Sequence, residues 1–152
     1  MNTYLAERTT RIETSPSSVA TQRARDLRAE GHDIIALTQG QPDFPTPDNV
    51  IEAAYAAMKN GETTYTPVGG TPALKEAIQQ KFRCQNGLEY EHDQIIASNG
   101  AKQTIYNAIM ATVEAGDEVI IAAPFWGSYA EMVKYVGGVP LLIECREENG
   151  FK

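Results

Sequence analysis

The spacing of apolar residues changes character along the chain. In "VATQRARDLRAEG" Val19, Arg23 and Leu27 recur at helical spacing and Gly31 ends the run, the pattern of an amphipathic helix with a glycine stop. "DIIALT" then reads as a short extended run, and "QGQPDFPTP" is too rich in Gly and Pro to continue any regular element. Thr46 with Pro47 is a helix start, followed by Val50, Ile51, Ala54, Tyr55 and Met58 on one face, and Asn60 with Gly61 closes the pattern. After the loop "TTYTPVGG", Thr71 and Pro72 repeat the start signal, and Leu74, Ala77, Ile78 and Phe82 form a second stripe ending at Asn86 and Gly87. From Gln94 the grammar becomes strand, helix, strand, helix, strand: "QIIAS", a helix to Glu114, "EVIIAA", a helix from about Gly127 to Val136, and "VPLLIEC". Gly116 and Gly137 mark the helix stops. Short strands alternating with helices predict an α/β fold with a mostly parallel sheet joined by right-handed crossovers.

Composition narrows the function classes. The 152 residues are 42% hydrophobic and 22% charged, a soluble globular balance, and no apolar run reaches the length of a membrane span. Thirteen basic against twenty acidic residues give a net charge of -7, which argues against a nucleic-acid footprint. Arg23, Arg25 and Arg28 read as a solvated helix face. "MNTYLAERTTRIETSPSS" carries Glu7 and Glu13 and lacks an apolar core, so it fits neither a secretory signal nor a transit peptide, and a cytoplasmic location is expected. Cys84 and Cys145 share no metal-ligand spacing with His32 or His92, so the thiols are expected to be buried or incidental and no metal site is expected.

The chemistry concentrates at "SNGAK". At the carboxyl end of a parallel strand, the first turn of the following helix offers backbone amides and the positive end of the helix dipole to an anion. Gly100 lets the backbone approach closely and Lys102 adds a cation. Neither standard nucleotide fingerprint is present, so a plain tight turn is the competing reading. "PFWGSY" opens at the same sheet edge, where Trp126 is either a core aromatic or a flat surface for a heteroaromatic ring. A phosphate cradle beside a stacking indole suggests a phosphorylated aromatic cofactor.

"TQGQPDFPTP", "YTPVGGTPALKEAI", "SNGAKQTIYNAI", "GDEVIIAAPFWGSY" and "GGVP" occur in this order, and the chain resembles the N-terminal portion of the class I pyridoxal-phosphate aminotransferases of fold type I, bacterial aspartate aminotransferase branch. The resemblance implies pyridoxal 5'-phosphate as cofactor, with Gly100 and Ala101 holding its phosphate through backbone amides beside Asn99 and Lys102. It implies that Trp126 stacks on the pyridine ring and that Tyr65 reaches across a homodimer interface to the partner's phosphate; a loop tyrosine packed on Pro67 is the alternative. Gly40 would contact the substrate carboxylate, and Lys102 the distal carboxylate of a dicarboxylic substrate such as aspartate or glutamate, exchanged against a 2-oxo acid. Residues 1-45 would be the N-terminal arm with part of the small domain, and 46-152 the first part of the cofactor-binding large domain.

Family members are much longer. None of Lys59, Lys75, Lys81, Lys102, Lys134 or Lys152 matches the family's Schiff-base lysine, so no catalytic residue is assigned and the chain is expected to be an incomplete piece, inactive alone. In this fold "QIIAS" is separated from the next two strands by strands that come later in the chain, so a gap beside it is expected. A stand-alone α/β module that binds a phosphorylated ligand without covalent chemistry, and an inactive dimerisation fragment pairing through the Tyr65 loop, are the competing readings.

Overall fold

The computed structural model describes residues 4–152. Its helices are α1 (Pro16–Ala29), α2 (Asp48–Lys59), α3 (Pro72–Lys81), α4 (Ala101–Thr112) and α5 (Ser128–Val136), with strands β1 (Glu118–Ala123) and β2 (Val139–Glu144). The chain forms two compact units, one of the residues up to Gln41 together with Lys102–Lys152, the other of Pro42–Ala101.

In the first unit β1 and β2 pair in parallel, with Ile120 opposite Leu141 and Ile121 opposite Leu142. The β1-α5-β2 crossover expected from the alternating pattern is therefore present. Strand residues alternate between two faces. Ile121 points to the side where Ala130 and Val133 of α5 are buried, and Ile109, Val119, Phe125 and Tyr129 pack around them. Val133 is only 1% exposed, and burying such a side chain is worth about 1.5–3 kcal/mol. Ile120, Leu141 and Ile143, on the opposite face, remain exposed. Gly137 ends α5 in the left-handed conformation, as the stop signal predicts.

The second unit holds α2, α3 and the segment leading to α4. Thr71 caps α3, its hydroxyl accepting from the Leu74 amide at 3.2 Å. Gln79 and Lys75 donate to the Tyr90 and His92 carbonyls at 2.6 and 2.9 Å, which folds the following chain back along α3. Gly70 has φ of +103°, and a Cβ there would come 2.9 Å from the Ala97 Cβ. Only glycine satisfies both conditions.

Three local expectations are corrected. "QIIAS" is not a strand: Ile95 has extended dihedrals, but the Ala97 amide donates to the Gly69 carbonyl at 3.0 Å and no ladder includes the segment. Extended backbone becomes a strand only when a neighbour pairs with it. "DIIALT" likewise lies outside the sheet. Finally, α2 begins at Asp48 after Pro47, with no side-chain cap, so Thr46 does not act as the cap.

Accessible surface shows how much apolar face is left uncovered. Among the described residues the buried hydrophobic side chains are Ala24, Ile95, Ile121, Ala130 and Val133. On α2 the predicted stripe of Val50, Ile51, Tyr55 and Met58 is about half exposed. Cys84 is exposed and Cys145 half-buried. Among the described residues no helix is long and apolar enough to cross a membrane, and no cluster of metal-ligating side chains occurs.

Candidate functional site

The junction between Ser98 and α4 is built by a turn. Gly100 has φ of +88°, a conformation that L side chains rarely adopt, and its amide donates to the Ser98 carbonyl at 2.8 Å. A Cβ at Gly100 would meet no heavy atom within 4 Å, so the backbone there is open to close approach. Ala101 is the first residue of α4 and Lys102 the second. The helix therefore starts where the sequence places it, with the positive end of its dipole at the "SNGAK" knot.

Trp126 follows β1 on a loop opened by the cis Ala123–Pro124 peptide. It is 54% exposed, so it does not belong to the buried core of the first unit. The Lys102 Nζ lies over that ring, 5.2 Å from its centroid. A cation at this distance is attracted by the ring quadrupole, worth about 0.5–1 kcal/mol at an exposed position. Two side chains far apart in sequence are thus brought together, a cation and a flat aromatic surface at the start of one helix.

Beside the indole is a recess of about 280 Å³ lined by Ser15, Pro16, Ser17, Phe125, Trp126 and Ser128. Sequence reasoning missed the contribution of Ser15–Ser17, because nothing in a Ser/Pro run at the start of a helix signals which distant loop it will meet. Gly40 lies in the exposed loop after α1, and a Cβ there would also meet nothing within 4 Å. Tyr65, in the second unit, is fully exposed and does not pack on Pro67.

The donor chemistry fits a phosphorylated aromatic ring. Within the first unit, a cation lying over an exposed indole is a combination that an anionic group on a planar heterocycle would suit.

Comparison with known proteins gives the same direction. Residues 32–152 match the family described as Aminotransferase class I and II. A probable aspartate/prephenate aminotransferase of Rhizobium leguminosarum bv. phaseoli is 47% identical over 149 residues, 98% of this chain and 37% of the relative. The aspartate aminotransferase of Geobacillus stearothermophilus is 47% identical over 97% of this chain and 38% of the relative. Among solved structures, the aspartate aminotransferase of Rhizobium meliloti superposes with a TM-score of 0.92 at 45% identity, covering 97% of this chain and 37% of that one. The Thermus thermophilus enzyme, solved with maleate, gives 0.91 at 42% identity, covering 97% and 38%. The chain spans less than two-fifths of the length of these relatives and has the fold of the matching part of aspartate aminotransferase. It belongs to the class I and II aminotransferases.

Proposed function

We propose that this aminotransferase chain provides the phosphate-holding and ring-stacking side of a pyridoxal 5'-phosphate site, in an enzyme that moves an amino group between aspartate or glutamate and a 2-oxo acid. The observation that carries the reading is the Lys102 ammonium 5.2 Å from the centre of the Trp126 ring, at the start of α4. When bound, pyridoxal phosphate supplies the electron sink for bond-breaking at the amino acid's α-carbon.

The chain's own residues hold and orient. Gly100 and Ala101 would hold the phosphate with backbone at the dipole's positive end, where the Gly100 amide bonds the Ser98 carbonyl at 2.8 Å and a Cβ at Gly100 would meet nothing within 4 Å. Trp126 covers one face of the ring and keeps water from it. Gly40 offers backbone to the substrate's α-carboxylate. Lys102 brings an ammonium to an anion, which suits it to charge recognition rather than to bonding a carbonyl carbon. Its second role is to face the distal carboxylate of a dicarboxylic substrate. Maleate, the compound named with the Thermus relative, is such a dicarboxylate. Full exposure of Tyr65 suits a side chain that reaches the phosphate of a second subunit in a homodimer. Residues 1-45 then form the N-terminal arm with part of the small domain, and 46-152 the first part of the cofactor-binding domain.

The test uses pyridoxamine 5'-phosphate, which has the ring and the phosphate but no aldehyde to react with surface lysines. Equilibrium dialysis is expected to show saturable binding at least about tenfold tighter than pyridoxamine, since charge-assisted phosphate contacts are worth about 1.5–3 kcal/mol. Equal binding of the two compounds would overturn the phosphate assignment.

A further inference from the structure

Away from the junction, one side chain uses both of its oxygens to join distant parts of the first unit. Glu131 on α5 accepts from the Glu13 backbone amide through Oε2 at 2.8 Å, a contact between residues 118 apart in the chain. Its Oε1 pairs with the Lys134 Nζ, also at 2.8 Å. Glu131 is 26% exposed, so solvent screens the pair only in part. The chain from Ile12 to Pro16 and the α5 residues Glu131, Lys134 and Tyr135 face each other across a cavity of about 540 Å³. Immediately beyond, Ser15, Pro16 and Ser17 wall the recess beside Trp126.

We propose that Glu131 is a positioning residue, a latch that fixes the N-terminal segment at Glu13 and thereby sets the wall formed by Ser15–Ser17 against Trp126. The reach of the chain makes this effective. Four residues span at most about 14 Å, so anchoring residue 13 restricts residue 17 to the neighbourhood of the indole. A carboxylate suits the role because it accepts a backbone amide and a cation at once, and Lys134, one turn along the same helix, holds it in the right orientation. That the positioned wall serves a ring-binding site rests on the reading of Trp126 given above. The latch itself needs no ligand.

The protonation behaviour agrees with this geometry. The Lys134 hydrogen bond, and after it the Glu13 amide, hold the Glu131 carboxyl below its ordinary pKa, against the opposing effect of burial. A lowered pKa means that the stabilisation is present above the ordinary carboxylate range and is lost as pH falls through the depressed value. Lys134 is raised, mainly by the same hydrogen bond to Glu131, so its share persists through the ordinary lysine range and disappears only as pH rises above it. The charged residues on the elements packed against α5 are Glu7 and Arg8 on a short 3-10 turn (Glu7–Thr10), Glu118 on β1 and Glu144 on β2, with Arg11 just after the turn. Among the described residues Glu131 pairs with none of these, and the Glu13 carboxylate acts on Lys134.

Hydrogen exchange of ligand-free wild type, Glu131→Ala, Glu131→Gln and Lys134→Met tests the latch, with acrylamide quenching of Trp126 as a second readout. Glu131→Ala is expected to speed exchange across residues 12–17 about tenfold or more and to make Trp126 easier to quench, while β1 changes less than about twofold. Glu131→Gln keeps an acceptor oxygen and should fall between Ala and wild type, and Lys134→Met should have the smaller effect of a lost orienting partner. Unchanged exchange at 12–17 in Glu131→Ala, or an equal rise throughout α5 and β1, would overturn the proposal. Should Glu131→Ala fail to fold, the pH profile decides. Protection at Glu13, corrected for intrinsic exchange, should vanish in wild type as pH falls below the carboxylate range and be pH-independent in Glu131→Gln; protection that does not titrate in wild type would refute the latch. Failure of these ligand-free readouts leaves cofactor binding untouched, whereas an intact latch without pyridoxamine 5'-phosphate binding would remove only the reading of Trp126.

Discussion

Replacing Gly100 by Ala separates the backbone of the junction from its side chains. Gly100 has φ of +88°, and the open space around its would-be Cβ means that Ala introduces no clash. The entire cost is then conformational, about 1–2 kcal/mol for an L-residue forced into the left-handed region. If phosphate is held by this backbone shape, the cost appears in affinity as roughly 5–30-fold weaker binding of pyridoxamine 5'-phosphate. Asn tolerates positive φ better than Ala, so Gly100→Asn should recover most of the loss. Titration of each variant at one fixed ionic strength, with circular dichroism to check helix content, gives the comparison. Gly70 provides the contrast. There φ is +103° and a Cβ would lie 2.9 Å from the Ala97 Cβ, so Gly70→Ala adds a clash to the strain and should disturb the fold of its unit. Binding by Gly100→Ala within about twofold of wild type, or equal losses in the Ala and Asn variants, would show that the backbone conformation is not what the ligand requires.

Further expectations concern packing, capping and charge. Val133→Ala removes two methyl groups from a fully buried position and should destabilise the first unit by about 2–3 kcal/mol, transfer and cavity together; a change below about 0.5 kcal/mol in urea unfolding would contradict the core assignment. Thr71→Ala deletes the hydroxyl that accepts from Leu74 and should cost about 1 kcal/mol, read as lost exchange protection in the first turn of α3. Lys102→Met keeps most of the side-chain stem but no cation; it should weaken pyridoxamine 5'-phosphate binding about three- to tenfold and flatten its salt dependence, and an unchanged salt dependence would remove Lys102 from the phosphate site.

How much of this was legible depends on whether the cause is local. The crossover from β1 through α5 to β2 follows from alternating periods and the Gly137 stop, both written in adjacent residues. Thr71 was readable because a cap acts within its own first turn. The segment 95–98 was not, since its apolar pattern is strand-like but a ladder also needs a neighbour, and the Ala97 amide bonds to Gly69 instead. Thr46 and Thr71 carry the same Thr-Pro signal, yet only Thr71 caps, because α2 starts one residue later relative to its proline. At the site, the glycine, the helix start and the lysine were visible as a motif, and Trp126 as an aromatic whose role was open. Its exposure and the cation over its face are tertiary facts that the sequence does not carry. The Glu131–Glu13 contact left no sequence signal, because its donor is a backbone amide, which every residue but proline carries.

The direct measurement is the fluorescence of Trp126, the single tryptophan of the chain, during titration with pyridoxamine 5'-phosphate. A ring stacked on the indole should quench that emission saturably, with the midpoint matching the dissociation constant from dialysis and shifting to higher concentration in Lys102→Met. Binding by dialysis with no change at Trp126, or quenching by pyridoxamine as strong as by its phosphate, would contradict the assignment of Lys102 and Trp126 to the two ends of one phosphorylated ring.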